Sequence, residues 1–460
     1  MNEQHLTAGI FAETLRSRGW EAHAAVPGAL ILDGVADSRQ VKPGDLFVGF
    51  RGEELDGNAY LEEALERGAT AVIGERMPEG DWPDRAIAVV DDSRAAVAAL
   101  AHAWLETCGP RVVGITGTVG KTTAKELTAA VLRQHFSTHW SKENFNSREG
   151  LPLALASLRR DHDVSVLEMA MDSPGEIAEL CTIAPPDAGI VLNVGLTHVS
   201  KLGSIEAIQH EKLSLVRSLR PGATAVVNAD DPRVAPVADE LTTRVISFGE
   251  SERATLRRGP IEDRGLEGCR FTVAYDGQQV EVTTPLPGTH VVPAALAAMG
   301  AALALGLSLE AAAASVASAE ADGRMRIMKT AAGVTIIDDR YNSSPASLEG
   351  ALRMLGTLEG RRIAFLGVMA ELGDYEEEEH ARIGRVAARN CDVLAAVGDP
   401  CKALVQAARD SGLKVAHWYG TKEEAAEAVG KRVQSGDIVL VKASRSQAFE
   451  QVLPILGGTA

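Results

Sequence analysis

The chain has 460 residues, enough for two to four domains at about 150 residues each, and 45% of them are hydrophobic, so several packed cores can form. Its formal net charge of −17 argues against DNA or RNA as a main partner, because a nucleic-acid backbone is bound by clustered Lys and Arg. A small phosphorylated ligand needs only a local basic site and is compatible with this charge.

Residues 1–105 are predicted to form a small N-terminal α/β domain. Residues 45–48 and 71–73 have the composition of buried strands, and residues 60–67 have a helical pattern. Pro43-Gly44 is a typical turn, in which Gly44 can adopt a positive φ. The chain begins without a basic region followed by an apolar run, so we expect no signal peptide.

Residues 106–320 are predicted to form a central domain around a mostly parallel, P-loop-type sheet. Strand-like apolar runs lie at 112–116, 164–169, 189–193, 223–228 and 245–248. Helical patterns separate the first four, and this alternation predicts parallel pairing through right-handed crossovers. From about 254 to 285 the pattern becomes hairpin-like, with Asp276-Gly277 as a tight turn. The Ala-rich segment 293–307 is predicted to be a core helix.

Residues 321–460 are predicted to form a C-terminal, Rossmann-like doubly wound sheet. Its predicted strands lie at 334–338, 363–367, 393–398, 415–418 and 438–442, with helical patterns between them. The fold class is therefore α/β, with three domains. No apolar stretch approaches the ~20 residues that span a bilayer. The five cysteines are scattered and form no CxxC pair, so we expect free thiols in a cytoplasmic, monomeric protein.

The strongest single motif is a glycine-rich turn between a strand and a helix. The sequence reads VVGITGTVGKTT from Val112 to Thr123, and a helix is predicted from about Ala124. Such a turn directs backbone N–H groups at an anion, while Lys121 would reach the β- and γ-phosphates and Thr122 would ligate Mg²⁺. The full GxxxxGK[ST] pattern is not met, because Ile115 stands five places before Gly120. An accidental turn is the alternative, which the strand and helix on either side disfavour.

The shorter form GTVGKTT resembles the nucleotide loop of Mur ligases and folylpolyglutamate synthetases. Further segments follow in the order that this family shows over nearly the whole chain. They are SKENFNSREGLPL at 141–153, LEM at 167–169, NVGLTH at 193–198, NADD at 228–231, DDRYN at 338–342, ELG at 371–373 and KASR at 442–445. The resemblance implies a ligase that uses ATP to convert a carboxylate into an acyl phosphate, which an amine then attacks.

The resemblance also implies a catalytic and metal-binding set. Glu168 and His198 would hold Mg²⁺ together with Thr122, and Lys212 would be carbamylated to hold a second Mg²⁺. Lys121 completes the catalytic residues. From the sequence alone, Glu168 could be a helix-terminal charge, His198 a satisfied polar group and Lys212 an exposed helix lysine.

Nucleotide and substrate contacts are implied for polar residues that follow the predicted strands. The implied nucleotide-binding residues are Gly117, Thr118, Val119, Gly120, Lys121, Thr122, Thr123, Asn144, Arg324, Asp339, Tyr341 and Asn342. Asn146 would contact the substrate. The two asparagines could instead satisfy their own loop backbone, and Arg324 could form only a surface ion pair.

The N-terminal segment DSRQVKPGDLFV at 37–48 resembles the family's domain for UDP-sugar precursors, with Ser38 and Arg39 as substrate contacts. A turn cap and a surface arginine are their simpler interpretation. Asn342 stands where tripeptide-forming members usually have His, and no DNPR motif is present. These features favour the members that add D-alanyl-D-alanine to UDP-N-acetylmuramoyl-tripeptide in peptidoglycan precursor synthesis.

Several positions depart from the family pattern. Val291 and Ala294 stand where asparagines that help to hold adenine are usual, Val368 replaces an acidic residue, and Ala443 and Gln447 replace Gly and Met. Two alternatives therefore stay open. One is a Mur-type ligase for another amino acid, and the other is a non-catalytic nucleotide-binding homologue.

Overall fold

The computed structural model describes residues 4–52, 55–142, 145–195, 202–319, 325–340, 342–370 and 372–457. The N-terminal part contains a sheet ordered β2-β7-β6-β5-β4, in which only the β2–β7 pair is antiparallel, and a small β1–β3 pair. Its elements are β1 (Leu6–Thr7), α1 (Ala8–Ser17), β2 (Glu21–Ala24), β3 (Leu30–Ile31), β4 (Gly34–Val35), β5 (Leu46–Val48), α2 (Leu61–Glu66), β6 (Ala71–Gly74), β7 (Ala86–Val89) and α3 (Ser93–Cys108).

The central part is built on a 10-stranded sheet in the order β15-β16-β14-β13-β12-β11-β8-β10-β9, with β17 paired to β16. Strands β8 to β14 pair in parallel, and the last three form the predicted antiparallel hairpin region. Its elements are β8 (Arg111–Thr116), α4 (Lys121–Leu132), β9 (Thr138–Trp140), α5 (Gly150–Leu155), β10 (Val164–Glu168), α6 (Glu176–Ile183), β11 (Ala188–Val191), α7 (Ile205–Arg217), β12 (Thr224–Asn228), β13 (Arg244–Gly249), β14 (Leu256–Arg258), β15 (Glu262–Asp263), β16 (Cys269–Tyr275), β17 (Gln278–Thr284), α8 (Val292–Ala304) and α9 (Leu309–Ala317).

The C-terminal part has a 6-stranded sheet in the order β18-β19-β23-β20-β21-β22, parallel except for the β18–β19 pair. Helices α10, α11 and α12 cover one face and α13 covers the other, which is the predicted doubly wound arrangement. Its elements are β18 (Arg326–Lys329), β19 (Thr335–Asp338), α10 (Pro345–Thr357), β20 (Arg362–Leu366), α11 (Glu376–Asn390), β21 (Val393–Val397), α12 (Cys401–Asp410), β22 (Ala416–Tyr419), α13 (Lys422–Gly430) and β23 (Ile438–Lys442).

The hydrophobic cores do not correspond one to one with the sheets. One cluster of buried side chains runs from Phe11 and Trp104 of the N-terminal part to Leu151 and Ile177 of the central part. The opposite face of the central sheet packs against α4, α8 and α9, as predicted for the Ala-rich segment. The C-terminal part has its own clusters on the two faces of its sheet.

These parallel strands bring the glycine-rich turn after β8 and Glu168 of β10 to one edge of the central sheet. β10 lies between β8 and β9, and β11 lies on the other side of β8. The carboxyl ends of β8, β10 and β11 therefore meet at the point where open α/β sheets bind ligands. In the described part of the chain, no helix is both long and apolar enough to cross a bilayer.

Candidate active site at the phosphate loop

The glycine-rich turn forms a helix N-terminus that is open to an anion. Gly120 has φ +84°, a left-handed conformation, and α4 follows from Lys121 rather than from about Ala124 as the sequence predicted. No side chain caps this helix. Since the first N–H groups of a helix have no acceptor within it, the first turn from Lys121 to Thr123 can bind a phosphate.

Lys121 lies back over the loop that precedes it. Its Nζ donates to the carbonyl oxygens of Gly117 at 2.9 Å and Thr118 at 3.2 Å. The ammonium group of Lys121 thus lies beside the turn, next to the N-terminus of α4. This is the position from which a cation can neutralise phosphate oxygens bound by the backbone.

Glu168, the last residue of β10, is buried and only half satisfied. Its Oε1 accepts from Nδ2 of Asn146 at 2.7 Å, so the structure brings these two predicted residues together. Its Oε2 is buried with no hydrogen-bond partner. A buried carboxylate oxygen without a partner is costly, and a cation is the group that would satisfy it. The position therefore fits a metal ligand better than a helix-terminal charge.

Lys212 is not the exposed helix lysine that the sequence alone would suggest. It lies on α7 with 2% of its surface exposed, and its Nζ donates to the carbonyl oxygen of Gly117 at 3.0 Å. Burial, with a smaller contribution from Lys121, holds the pKa of Lys212 well below its usual range. Burial thus disfavours the charged form of this amine, which lies directly beneath the glycine-rich turn from Gly117 to Gly120, the phosphate loop.

Four of the predicted site residues, His198, Asn144, Arg324 and Tyr341, lie outside the described residues. Among the residues that are described, no group of three or more His, Cys, Asp and Glu side chains forms a metal cluster. The unsatisfied oxygen of Glu168 and the half-buried Thr122 at the start of α4 are what fit Mg²⁺ at this edge.

The two N-terminal candidates are engaged within their own domain. Ser38 is buried, and its hydroxyl donates to Glu63 at 2.9 Å. Arg39 forms a paired contact with Asp37 through Nε and Nη2, at 2.9 and 2.8 Å, while 80% of its side chain is exposed. The structure brings neither residue to the phosphate loop, so their part in substrate binding stays a prediction.

Two of the C-terminal candidates, Asp339 and Asn342, contact the buried Lys442. Nζ of Lys442 lies 2.6 Å from Oδ2 of Asp339, and it also donates to the carbonyl oxygen of Asn342 at 2.8 Å. Asp339 and Lys442 are both buried, whereas Asn342 is exposed. Lys442 therefore fixes the segment that was predicted to approach the nucleotide.

The unusual residues of the C-terminal domain contact one another. Oε1 of Gln447 accepts from the amide of Val368 at 2.7 Å, and the hydroxyl of Ser444 bridges Val368 and Ala370. A methyl group at Gly367 would lie 2.6 Å from Cβ of Ala443. Two of the departures from the family pattern, Val368 and Gln447, are thus in direct contact, and Ala443 lies close by.

The two departures near the predicted adenine site have a different character. Val291 and Ala294 are 3% and 6% exposed and belong to the core beneath α8. An asparagine side chain at either place would have to enter apolar surroundings. Adenine contacts, if they occur here, must come from other groups.

Sequence reasoning missed residues whose hydrogen bonds hold the site residues in place. Lys125 is fully buried and donates to the carbonyl oxygen of Ser141 at 2.6 Å, and the hydroxyl of Ser141 accepts from the amide of Glu168. Asn193 bonds the phosphate loop itself. Position in the sequence could have indicated two of these residues, since Asn193 and Lys442 stand at the ends of apolar strands.

Comparison with known proteins agrees with this architecture. The chain matches the Mur ligase middle domain over residues 115–302, the Mur ligase glutamate ligase domain over 323–445 and the Mur ligase family catalytic domain over 35–104. The UDP-N-acetylmuramoyl-tripeptide–D-alanyl-D-alanine ligase of Bacillus subtilis is 33% identical over 92% of this chain and 93% of its own. The Escherichia coli enzyme of the same name is 31% identical over 93% and 94%.

Solved structures show the same likeness. A crystal structure of MurF from Acinetobacter baumannii superposes with a TM-score of 0.87, 28% identity and 99% coverage of both chains. MurF ligase from Thermotoga maritima, in complex with ADP, superposes with a TM-score of 0.77 and 29% identity, over 93% of this chain and 97% of that one. Both similarities extend over nearly the whole of this chain.

Proposed function

The chain belongs to the Mur ligase family, and from that premise we propose that it is an ATP-dependent, ADP-forming ligase that adds D-alanyl-D-alanine to UDP-N-acetylmuramoyl-tripeptide. The observation that carries the proposal is the cluster at the carboxyl edge of the central sheet. There an uncapped helix N-terminus, two lysines on Gly117 and the unsatisfied carboxylate of Glu168 come together. Phosphoryl transfer needs this combination of backbone donors, cations and a metal ligand.

The phosphate loop would bind the β- and γ-phosphates of ATP. The first-turn amides of α4 would cradle phosphate oxygens, and Lys121 would neutralise charge from the side of Gly117 and Thr118. The acceptor carboxylate then attacks the γ-phosphorus, ADP leaves, and an acyl phosphate forms. The amine of D-alanyl-D-alanine attacks the acyl carbon and expels inorganic phosphate, which leaves a new amide bond.

Glu168 and Thr122, with His198, would hold Mg²⁺ at this edge. Bound Mg²⁺ would neutralise the phosphate oxygens during transfer. Lys212 is placed to become a carbamate, because burial lowers its pKa and so raises the share of neutral amine, the form that attacks CO₂. Carbamylation would convert a lysine into a carboxylate and provide a ligand for a second Mg²⁺.

The remaining assignments rest on the family pattern. Asn144, Arg324, Asp339, Tyr341 and Asn342 would contact the nucleotide, with Lys442 holding Asp339 in place. Asn146 would place the substrate while it holds Glu168, and Ser38 and Arg39 would contact the UDP-linked precursor in the N-terminal domain. Approach of the C-terminal domain would exclude water, which otherwise hydrolyses the acyl phosphate. We place the reaction in the cytoplasm and expect a monomer.

The proposal is tested by ATP-dependent phosphate release from the purified protein with Mg²⁺ and UDP-N-acetylmuramoyl-tripeptide. We expect release with D-alanyl-D-alanine and not with single amino acids, together with a matching mass increase of the precursor. Release with a single amino acid would instead assign a Mur-type ligase with another amine. ATP binding without release for any amine would identify a non-catalytic homologue and overturn the proposal.

A further inference from the structure

Asn193 ties the phosphate loop to the end of the neighbouring strand. It stands two residues beyond β11, and its Oδ1 accepts from the amides of Thr118 at 3.0 Å and Val119 at 2.8 Å. Its Nδ2 donates to the carbonyl oxygen of Val119 at 2.9 Å. One side-chain amide thus satisfies three backbone groups of the turn, as a neighbouring β-strand would.

A second contact links the same two segments. The amide of Gly195 donates to the hydroxyl of Thr118 at 2.8 Å, and that hydroxyl donates to the carbonyl oxygen of Gly195 at 3.3 Å. The approach is close, since a methyl group at Gly117 would lie 2.9 Å from Cβ of Leu192. The loop therefore rests against the segment after β11 along its whole first half.

The direction of these bonds separates two sets of loop amides. The N–H groups of Thr118 and Val119 face Asn193, so they are committed within the protein. The amides that open toward an anion are those at the N-terminus of α4, from Lys121 onward. A loop that is fixed in this way before nucleotide arrives loses less conformational freedom when it binds.

We propose that Asn193 is a positioning residue for the nucleotide, which holds the phosphate loop so that the first turn of α4 presents its amides to the β- and γ-phosphates. The inference rests on the proposed function, because it takes the loop to bind ATP. It adds a residue whose contribution acts through the loop and not by contact with the substrate.

The experiment measures Mg-ADP affinity by isothermal titration calorimetry on the full-length protein. Asn193→Ala removes the three side-chain hydrogen bonds to the loop, while the backbone carbonyl of residue 193 keeps its bond from the Thr118 amide at 3.0 Å. We expect the Kd to rise about tenfold or more. Asn193→Asp keeps the acceptor for both amides but places an oxygen opposite the carbonyl of Val119 and adds a negative charge near the phosphates. We expect a larger rise in Kd for this variant, and part of that rise should disappear at high salt.

Asn58→Ala is the matched control. Asn58 is a buried asparagine of the N-terminal domain whose Oδ1 accepts from Glu75 at 2.7 Å and whose Nδ2 donates to Asp56 at 2.8 Å. It should lower the Tm without changing the Kd for Mg-ADP. Asn193 variants that bind Mg-ADP within twofold of the wild type, whatever their Tm, would overturn the inference.

Two further outcomes keep the test decisive. If Asn193→Ala does not fold, the nearly isosteric Asn193→Asp decides alone, and an unchanged Kd at low salt refutes the positioning role. If the wild type binds Mg-ADP but releases no phosphate with any acceptor, the proposed ligase function fails while the effect of Asn193 on affinity is still measured. In an active enzyme, the KM for ATP should rise more than kcat falls.

Discussion

At the scale of single residues, the site depends on charges that are buried without full compensation. Glu168 has one oxygen on Asn146 and one with no partner, and Lys212 is buried on the carbonyl of Gly117. An unsatisfied buried carboxylate costs free energy, and so would a buried ammonium, which is why burial lowers the pKa of Lys212. A bound cation would satisfy the free oxygen of Glu168, and conversion of Lys212 to a carbamate would supply a second ligand for such a cation.

Glu168→Gln tests the metal assignment. The variant keeps the shape and can still accept from Asn146, but it loses the charge that would hold Mg²⁺. We expect kcat to fall on the order of a hundredfold or more, with Mg-ADP affinity much less affected. Phosphate release measured across a Mg²⁺ titration checks this. A variant with wild-type turnover and wild-type Mg²⁺ dependence would contradict it.

Lys212 predicts a dependence of turnover on dissolved CO₂. If the neutral amine is carbamylated, stripping CO₂ and bicarbonate from the assay should lower the rate, and added bicarbonate should restore it. Lys212→Arg cannot form the carbamate, and we expect a rate lower by about two orders of magnitude that bicarbonate does not rescue. Equal bicarbonate responses of wild type and variant would argue against carbamylation.

His139 predicts how stability changes with pH. It is buried on β9 between Ser165 and the carbonyl of Ala154, and burial, reinforced by His162, lowers its pKa from 6.5 to about 3. Between these values the unfolded chain binds a proton that the folded protein does not, so stability falls as the pH falls. The slope is about 1.4 kcal/mol per pH unit, and it disappears above pH 6.5.

His139→Gln isolates this contribution. The variant should be less stable than the wild type at pH 7.5 because it packs less well. Its disadvantage should shrink as the pH falls from 6.5 toward 5, because only the wild type carries the titrating imidazole. Urea unfolding at several pH values measures the difference. Parallel stability curves for the two proteins would refute the assignment.

At the scale of elements, the sequence predicted most interior strands and the edge strand β22, and it missed the interior strand β7 together with several brief or edge strands. The segments at 112–116, 223–228 and 438–442 are continuous apolar runs, because central parallel strands are buried on both faces. β9, β18 and the short N-terminal strands β1 to β4 are brief or polar, and they pair because neighbours hold them in place. Such pairing is a tertiary effect that local composition does not contain.

The sequence predicted only those parts of the candidate site that a local sequence motif defines. The strand–turn–helix pattern located the phosphate loop, and the family resemblance indicated Glu168 and Lys212. No pattern shows that Lys125 reaches Ser141 or that Lys442 reaches Asp339, because these contacts join distant segments. The start of α4 at Lys121 was also missed, since Gly-Lys-Thr-Thr has weak helix propensity and the turn conformation of Gly120 sets the boundary.

Gly34 lies where the N-terminal domain packs against the central domain. A methyl group there would lie 2.6 Å from the carbonyl oxygen of Leu153 and 2.9 Å from its Cα, so β4 and α5 are in backbone contact. Gly34→Ala should cost about 1–3 kcal/mol, because backbone atoms must separate. It should also raise the KM for the UDP-linked precursor more than the KM for ATP, since Ser38 and Arg39 follow β4.

Gly28→Ala is the control for this substitution. A methyl group at Gly28 would meet no atom within 4 Å, so the change should alter stability by no more than about 0.5 kcal/mol. Thermal unfolding of both variants makes the comparison. Equal Tm values for the two would mean that the close contact with Leu153 relaxes at little cost.

At the scale of the whole molecule, the three domains are joined unequally. The N-terminal and central parts share one core, and they are also linked by the buried hydrogen bond from Nε1 of Trp104 to the carbonyl of Leu158 at 2.9 Å. The C-terminal cores are separate. Among the described residues, the central domain packs against this part of the molecule through Leu266 and through the turn at Gly288 and His290, which lies against α10. A small, separate contact of this kind permits a domain to move as a unit.

Calorimetry should therefore resolve two unfolding transitions for the protein without nucleotide. One transition is the unfolding of the N-terminal and central parts together. It should carry the larger enthalpy, because unfolding enthalpy scales with the number of residues. Mg-ADP at a hundredfold excess over its Kd should stabilise this unit by about 2.7 kcal/mol, since the phosphate loop belongs to it. The C-terminal transition should move less, because only Asp339 and its neighbours would reach the nucleotide. A single transition without ligand would show that the C-terminal domain does not unfold as an independent unit. A shift confined to the smaller transition would show that Mg-ADP binds mainly to the C-terminal domain and not to the phosphate loop.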